Sequence, residues 1–111
     1  MREIYRYEKT LQALGLCAKA RKLIIGTPMI CEALKSKGKK PYLVLAAGDN
    51  AENTAKRLCD RCRYYGVPLV LLDADGDTLS AAIGKNARVA AVAVTDENLC
   101  RLVKGTIASA E

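Results

Sequence analysis

The sequence predicts an α/β fold in which a central, largely parallel sheet has helices on both faces. Four short apolar runs alternate with five stretches of helical periodicity, the connections are a few residues long, and no linker or repeat interrupts the chain. Strands and helices that alternate in this way usually form one sheet covered by its helices. We therefore expect a single domain over residues 1–111, which is long enough to bury a sizeable core.

The first two helices and the first strand are predicted from apolar spacing and turn residues. Leucine and alanine at helical spacing predict a helix over about residues 5–21, and an apolar run predicts a strand over 23–25. A glycine turn follows. Thr27 is the expected N-cap of the second helix and Pro28 its first helical residue, and the helix is expected to end near Gly38.

The remaining elements follow from the same signals. Residues 42–46 form a continuous apolar run, typical of a strand buried on both faces. Residues 49–52 have the pattern of a capping box, which starts a third helix that Gly66 ends. The C-terminal elements are a strand over 67–72, an acidic turn over 73–77, a short helix over 78–83, a strand over 87–94 and a final helix that opens at Thr95.

Positive charge is concentrated in the first part of the chain. The net charge is +6, and residues 1–40 hold 10 of the 18 basic residues but 3 of the 12 acidic ones. The cations that flank the glycine turn in sequence are Lys19, Arg21, Lys22, Lys35, Lys37, Lys39 and Lys40. This asymmetry is typical of a polyanionic partner contacted from one side, and equally of solubility charge on helix faces, so composition alone leaves both interpretations open.

The composition argues against several classes of enzyme. Histidine is absent, which excludes imidazole catalysis and imidazole metal ligands, although lysine, carboxylates or cysteine could still catalyse. The number of cysteines is odd and no export signal is visible, so we expect no disulfide framework and a cytoplasmic protein. The longest apolar runs are also too short to span a bilayer.

Cys59 and Cys62 have the spacing of a redox pair or of half a zinc site. A second such pair is missing, and Cys62 continues the apolar stripe of Leu58 on the third helix. We expect core packing, and a thiol enzyme is the least favoured alternative. Tyr64 and Tyr65 together could stack on a base, but Tyr65 continues the same stripe and is expected in the core.

Four strings cover most of the chain in one order: LGLCAKARKLIIG (14–26), GDNAENTAKRLCDRCRYYGVP (48–68), LSAAIGK (79–85) and ARVAAVAVTDE (87–97). Together they resemble the ribosomal-protein superfamily named for the archaeal seven-Ae and eukaryotic thirty-e proteins, and its bacterial YlxQ-like branch in particular. The resemblance implies a three-layer α/β/α sandwich around a four-stranded mixed sheet. It also implies non-catalytic RNA binding, typically of kink-turn RNA.

The resemblance implies three places at which RNA would meet the protein. The first is the glycine turn with the start of the second helix, residues 26–32. The second is the loop after the next strand, residues 47–50, and the third is the loop over residues 73–78. Kink-turn binders have the pattern G-x-N-E-x-x-K at the first place.

Only the glycine of that pattern is present, as Gly26. Pro28, Met29 and Glu32 occupy the three other defined positions. Proline has no N–H, methionine does not accept from guanine as a carboxylate does, and glutamate repels phosphate. We therefore expect backbone contact with RNA at this turn rather than base readout.

We expect a non-catalytic, ribosomal-protein-like component of a ribonucleoprotein. It would contact structured RNA, ribosomal or kink-turn-like, mainly through phosphates. The expected RNA-binding residues are Lys19, Arg21, Lys22, Gly26, Thr27, Lys35, Lys37, Lys39, Lys40, Asp49 and Asn50. We expect a monomer with no cofactor, metal, membrane or small-molecule substrate. The alternative is a protein-interaction or regulatory module on the same fold.

Overall fold

The computed structural model describes residues 8–36, 38 and 40–110, which form five helices and four strands. These elements are α1 (Glu8–Lys19), β1 (Leu23–Ile25), α2 (Thr27–Lys35), β2 (Leu43–Ala46), α3 (Glu52–Tyr65), β3 (Leu69–Leu71), α4 (Gly76–Ala82), β4 (Ala91–Val94) and α5 (Glu97–Ala110). The predicted alternation of helix and strand is confirmed. No helix in this part of the chain is long and apolar enough to cross a bilayer.

The strands lie in the order β1-β4-β2-β3. β4 pairs antiparallel with both β1 and β2, and only β2 and β3 are parallel. The expectation of a largely parallel sheet is therefore wrong, and the mixed sheet implied by the family resemblance is confirmed. The physical reason is the path after α4. The chain returns to the start of that helix, where the Val89 N–H donates to the Gly76 carbonyl at 3.4 Å, so β4 enters from the end at which β3 left.

Alternating side chains of the sheet build two separate cores. One set of side chains points toward α1, α4 and α5 and lies within one buried cluster: Leu43, Leu45, Val92 and Val94. The other set points toward α2 and α3 and lies within a second buried cluster: Val44, Ala46, Ala91 and Ala93. The central strands β2 and β4 are buried along their whole length, while β1 and β3 at the edges are partly exposed. This is the predicted three-layer sandwich.

Two of the predicted helix caps are wrong. Gly26, not Thr27, is the N-cap of α2, and Thr27 is already helical. α3 begins at Glu52 after Ala51, and no side chain caps it. The predicted capping box fails because the Asp49 carboxylate accepts its hydrogen bonds from two other loops of the protein instead.

The cysteine pair lies late in α3, as predicted. Cys62 is buried in the core against α2, whereas Cys59 is half-buried. Burial, with smaller effects from the Cys59 and Cys31 thiols, raises the pKa of Cys62 to about 11, so this thiol is protonated at neutral pH. Among residues 8–36, 38 and 40–110 no histidine, cysteine or carboxylate group is arranged to hold a metal ion.

Candidate nucleic-acid interface

The two ends of the sheet contain different functional candidates. β1, β2 and β3 run in the same direction, so the residues that follow them share one end and the residues that precede them share the other. At the first end, the Gly26 N–H donates to the Ala91 carbonyl at 3.0 Å and the Ala47 N–H to the Ala90 carbonyl at 2.9 Å. We call this the glycine end: residues 26–27, 47–50, 73–78 and 88–90.

At the opposite end, the backbone closes around the start of β1 and β2. The Thr95 N–H donates to the Lys22 carbonyl and the Tyr42 N–H to the Val94 carbonyl, both at 2.9 Å. Helix α1 ends here and α2 ends here too, because it leaves the glycine end and runs back along β1. We call this the basic end: Lys19, Arg21, Lys22, Lys35 and Lys40.

The predicted RNA-binding residues are thus divided between the two ends. Four of them lie at the glycine end: Gly26, Thr27, Asp49 and Asn50. The five predicted cations that the structure describes lie at the basic end. Lys37 and Lys39 fall outside the described residues. The cations flank the glycine turn in sequence but not in space, because helix α2 separates Thr27 from Lys35 by about 12 Å.

At the glycine end, Gly26 sets the entry of the chain into α2. Its φ of 98° lies in the region that favours glycine, and its carbonyl accepts the first bond of the helix from the Ile30 N–H at 3.0 Å. The Thr27 hydroxyl is buried and has no hydrogen-bond partner in the described part of the chain. The backbone N–H groups of Thr27 and Met29 have no carbonyl partner within α2, a polarity suited to an anion.

Asp49 and Asn50 are held by other loops of the protein. The Arg88 Nη2 donates to Asp49 Oδ1 at 2.7 Å and to Asn50 Oδ1 at 2.9 Å. The Gly76 N–H donates to the same Asp49 oxygen at 2.9 Å, and Asn50 Nδ2 donates to the Ala90 carbonyl at 2.9 Å. These two side chains therefore shape the loops of the glycine end. Arg88 was not among the predicted site residues, and no local motif marks it.

The glycine end is rich in acidic groups. Asp73, Asp75 and Asp77 lie in its third loop with exposed side chains, and Arg88 is already paired with Asp49. Asp75 caps α4, and the backbone N–H and the hydroxyl of Thr78 hold the pKa of its carboxyl below the usual value. A polyanion would approach this end against several carboxylates.

The basic end has the opposite character. Its five cations are exposed, and Lys19, Arg21, Lys22 and Lys35 form no ion pair with any described residue. Among the nearby acids, Asp96 accepts the Leu99 N–H at 3.0 Å and Glu97 pairs with Arg101 at 3.5 Å, whereas Glu32 is exposed one turn before Lys35. These cations are free to neutralise phosphates.

Arg21 has an unusual backbone. Helices α1, α3 and α4 end with the same pair of hydrogen bonds around a left-handed residue, which is Gly66 for α3, Gly84 for α4 and Arg21 for α1, with φ of 60°. An arginine at this position costs about 1 kcal/mol relative to glycine. The strain is borne by a residue whose side chain belongs to the basic end.

Two aromatic rings lie at the same end of the sheet, and one of them is beside Lys40. Tyr65 packs partly against the α2–α3 core, as predicted, and Lys40 Nζ lies 5.2 Å from the centre of its ring. Tyr64 is 80% exposed, and its ring meets that of Tyr65 edge to face, with 4.8 Å between the centres. Tyr64 and Tyr65 are the last two residues of α3, which ends at the basic end.

Comparison with known proteins supports the resemblance seen in the sequence. Residues 8–103 match the ribosomal protein L7Ae/L30e/S12e/Gadd45 family. A Bacillus subtilis (strain 168) protein named "RNA-binding protein YlxQ" is 40% identical over 84 residues, which cover 76% of this chain and 80% of the relative. A protein of the same name from Enterococcus faecium is 32% identical over 82 residues, or 74% of this chain and 77% of that one.

Two solved structures are similar in fold. A Bacillus halodurans protein described as having unknown function has a TM-score of 0.79 and 33% identity, with 90% of this chain and 97% of that chain covered. The Giardia lamblia 15.5kD RNA binding protein has a TM-score of 0.77, with 96% of this chain and 88% of that chain covered. At 18% identity, the second likeness concerns the fold alone.

Proposed function

Because the chain belongs to the ribosomal protein L7Ae/L30e/S12e/Gadd45 family, we propose that it is a non-catalytic protein that binds structured RNA. The relatives named as RNA-binding proteins support this class of ligand. The structural observation that carries the proposal is the basic end, which holds five exposed cations, four of which form no ion pair with a described residue, and at which α3 ends with Tyr64 and Tyr65.

Binding at the basic end would rest on phosphate contacts. Five cations that each neutralise one phosphate predict that the logarithm of the association constant falls with the logarithm of salt concentration with a slope of about −4. Contacts of this kind position an RNA without reading its bases. They suit a protein whose α2 has lost the side chains that read kink-turn guanines.

The glycine end would make a smaller contribution. The N–H groups of Thr27 and Met29 in the first turn of α2 can donate to one phosphate, whereas the Thr27 hydroxyl is buried. Asp49 and Asn50 would act indirectly, since Arg88 and the backbone engage them. We therefore assign these two residues to the shape of the loops rather than to RNA contact.

A pair of matched charge-reversal variants tests the proposal. The first combines Lys19→Glu, Arg21→Glu and Lys22→Glu; the control combines Lys56→Glu, Arg57→Glu and Lys104→Glu, which changes net charge equally at exposed positions away from the basic end. The probes are a ribosomal RNA fragment, a kink-turn hairpin and a plain hairpin, titrated at several salt concentrations.

We expect the first variant to lose at least tenfold in affinity and to flatten the salt slope by about 3, with a small effect in the control. Equal losses in both variants, or a flat salt response of the wild type, would refute phosphate binding at the basic end. Absence of binding to every probe would refute the function.

A protein-interaction module is the second candidate. The observation in its favour is a groove of about 470 Å³ between α1 and α4. Gly15, Leu16 and Ile83 are among the residues that line it, and the Leu16 side chain is 54% exposed. Capture of a partner by the purified protein that persists after nuclease treatment, and that Leu16→Glu abolishes, would favour it over RNA binding.

A further inference from the structure

Tyr64 is exposed to an extent unusual for a large aromatic side chain. Its exposed fraction is 80%, the highest among the large hydrophobic side chains that the structure describes as exposed. It belongs to the last turn of α3, one residue before the end of that helix. The fold thus presents an aromatic ring to solvent from a regular element.

The Tyr64 ring contacts a tyrosine that is packed against the core. Tyr65 packs against the core cluster that contains Leu58, Cys62 and Val67, and its ring is 4.8 Å from that of Tyr64 at an interplanar angle of 85°. Lys40 Nζ lies 5.2 Å from the centre of the Tyr65 ring. A tyrosine has only two side-chain torsions, so Tyr64 loses little conformational freedom when a flat group stacks on its ring.

The surroundings of Tyr64 share aromatic rings and cations with single-stranded nucleic-acid sites, and they also include exposed Asp60 one turn earlier on α3. Such sites combine aromatic rings, on which bases stack, with cations that follow the phosphates. Arg63 and Lys40 are exposed and adjoin the two tyrosines in sequence or space, and Lys35 lies at the same end of the sheet. Stacking is tolerant of base identity, in keeping with contacts that are otherwise to phosphate.

We propose that Tyr64 is a stacking site for an unpaired RNA base at the basic end. This inference rests on the proposed RNA binding and deepens it, because it specifies a ligand with a single-stranded or bulged nucleotide beside a structured element. The site lies at the opposite end of the sheet from residues 26–32, 47–50 and 73–78.

The chain contains no tryptophan, so a single introduced tryptophan reports on stacking directly. Tyr64→Trp places the reporter at the site, and Met29→Trp places a matched reporter at an exposed position in the first turn of α2, next to the glycine end. The probes are a hairpin with an adenosine tail, the same hairpin with abasic residues in the tail, and the hairpin alone, each titrated by fluorescence.

We expect the tailed hairpin to quench the fluorescence of the Tyr64→Trp variant strongly and the abasic and tail-free hairpins to quench it weakly. The Met29→Trp variant should respond little to any of the three. Tyr64→Ala should weaken binding of the tailed hairpin by about 5- to 100-fold with the salt slope unchanged, and Tyr64→Phe should bind like the wild type.

Two outcomes would overturn the stacking site. If Tyr64→Ala binds the tailed hairpin as tightly as the wild type does, while the salt slope stays steep, RNA binding stands and stacking at Tyr64 does not. If the tail quenches the reporter of the Met29→Trp variant instead, the base is bound at the glycine end. A wild type that binds none of the hairpins would overturn both this inference and the proposed function.

Discussion

The Arg88 guanidinium donates a hydrogen bond to the Asp49 carboxylate at 2.7 Å and so joins the loop before β4 to the loop after β2. The same carboxylate accepts the Gly76 N–H at 2.9 Å, which brings the start of α4 into the contact. Three chain segments of the glycine end therefore depend on one acidic side chain.

Asp49→Ala should lower the free energy of unfolding by about 1 kcal/mol, because it removes two hydrogen bonds, one of which is also a partly exposed ion pair. Chemical denaturation measures the change, and amide exchange should speed up at Gly76. Asp73→Ala is the control, since it removes an equal charge from the same end, where Asp73 forms no ion pair with a described residue. Equal effects of the two variants would contradict the assignment.

Gly76→Ala should disturb the same contact without changing any charge. A Cβ at this position would lie 2.6 Å from the Cγ and Nε atoms of Arg88, closer than such atoms approach, so the arginine must move away from Asp49. We expect a stability loss comparable with that of Arg88→Ala, and a double variant that is little worse than either single one. Additive losses would show that Gly76 matters for another reason.

Arg21→Gly should stabilise the protein and weaken RNA binding at the same time. Glycine relieves the left-handed backbone, for a gain of about 0.5–1 kcal/mol in the free energy of unfolding, and removes one cation, which lowers the salt slope by about 1. Arg21→Lys keeps both charge and backbone strain and should leave both quantities near the wild-type values. If Arg21→Gly binds RNA as the wild type does, the side chain has no role in binding.

Thr27→Val should separate structure from binding at the glycine end. The buried hydroxyl has no partner among the described residues, so replacement by a methyl group of similar shape should raise stability by about 1 kcal/mol. Because the hydroxyl oxygen is buried, RNA affinity should stay near the wild-type value. A clear loss of affinity would show that the hydroxyl reaches the RNA.

Stability should fall in alkaline solution because of Cys62. An unfolded thiol loses its proton near pH 8.5, whereas the folded pKa is raised to about 11, so above pH 8.5 the folded state binds more protons than the unfolded state. The stabilisation is complete below pH 8.5 and about 3 kcal/mol is lost by pH 11. Cys62→Ala should show a shallower decline in urea unfolding between these values, and an equal decline would contradict the raised pKa.

The sequence was sufficient to predict the helices and strands but not their arrangement. Apolar periodicity and terminal glycines are local signals, and they located every element to within a few residues. The insertion of β4 between β1 and β2 depends on the return of the chain after α4, which no local pattern encodes. The capping box at Asp49 failed because Arg88, 39 residues away, competes for the carboxylate.

The same limit applies to the candidate site. Lys19 and Lys35 flank Gly26 in sequence, and only the direction of α2 shows that they lie at the far end of the sheet from it. The left-handed conformation of Arg21 was equally hidden, since the sequence signal for such a position is glycine. The cysteine pair and Tyr65 were predicted correctly because the stripe on α3 is local.

The position of β4 also bears on how the chain folds. β1 has its partner in β4, and β2 has one of its two partners there, so residues 91–94 must be present before the first strand can pair. Contacts between segments so distant in sequence are entropically costly to form and slow the search for the native topology. During synthesis, β1 therefore cannot pair until nearly the whole chain has been made. A fragment that stops before residue 91 would expose an unpaired strand edge, which is prone to aggregation.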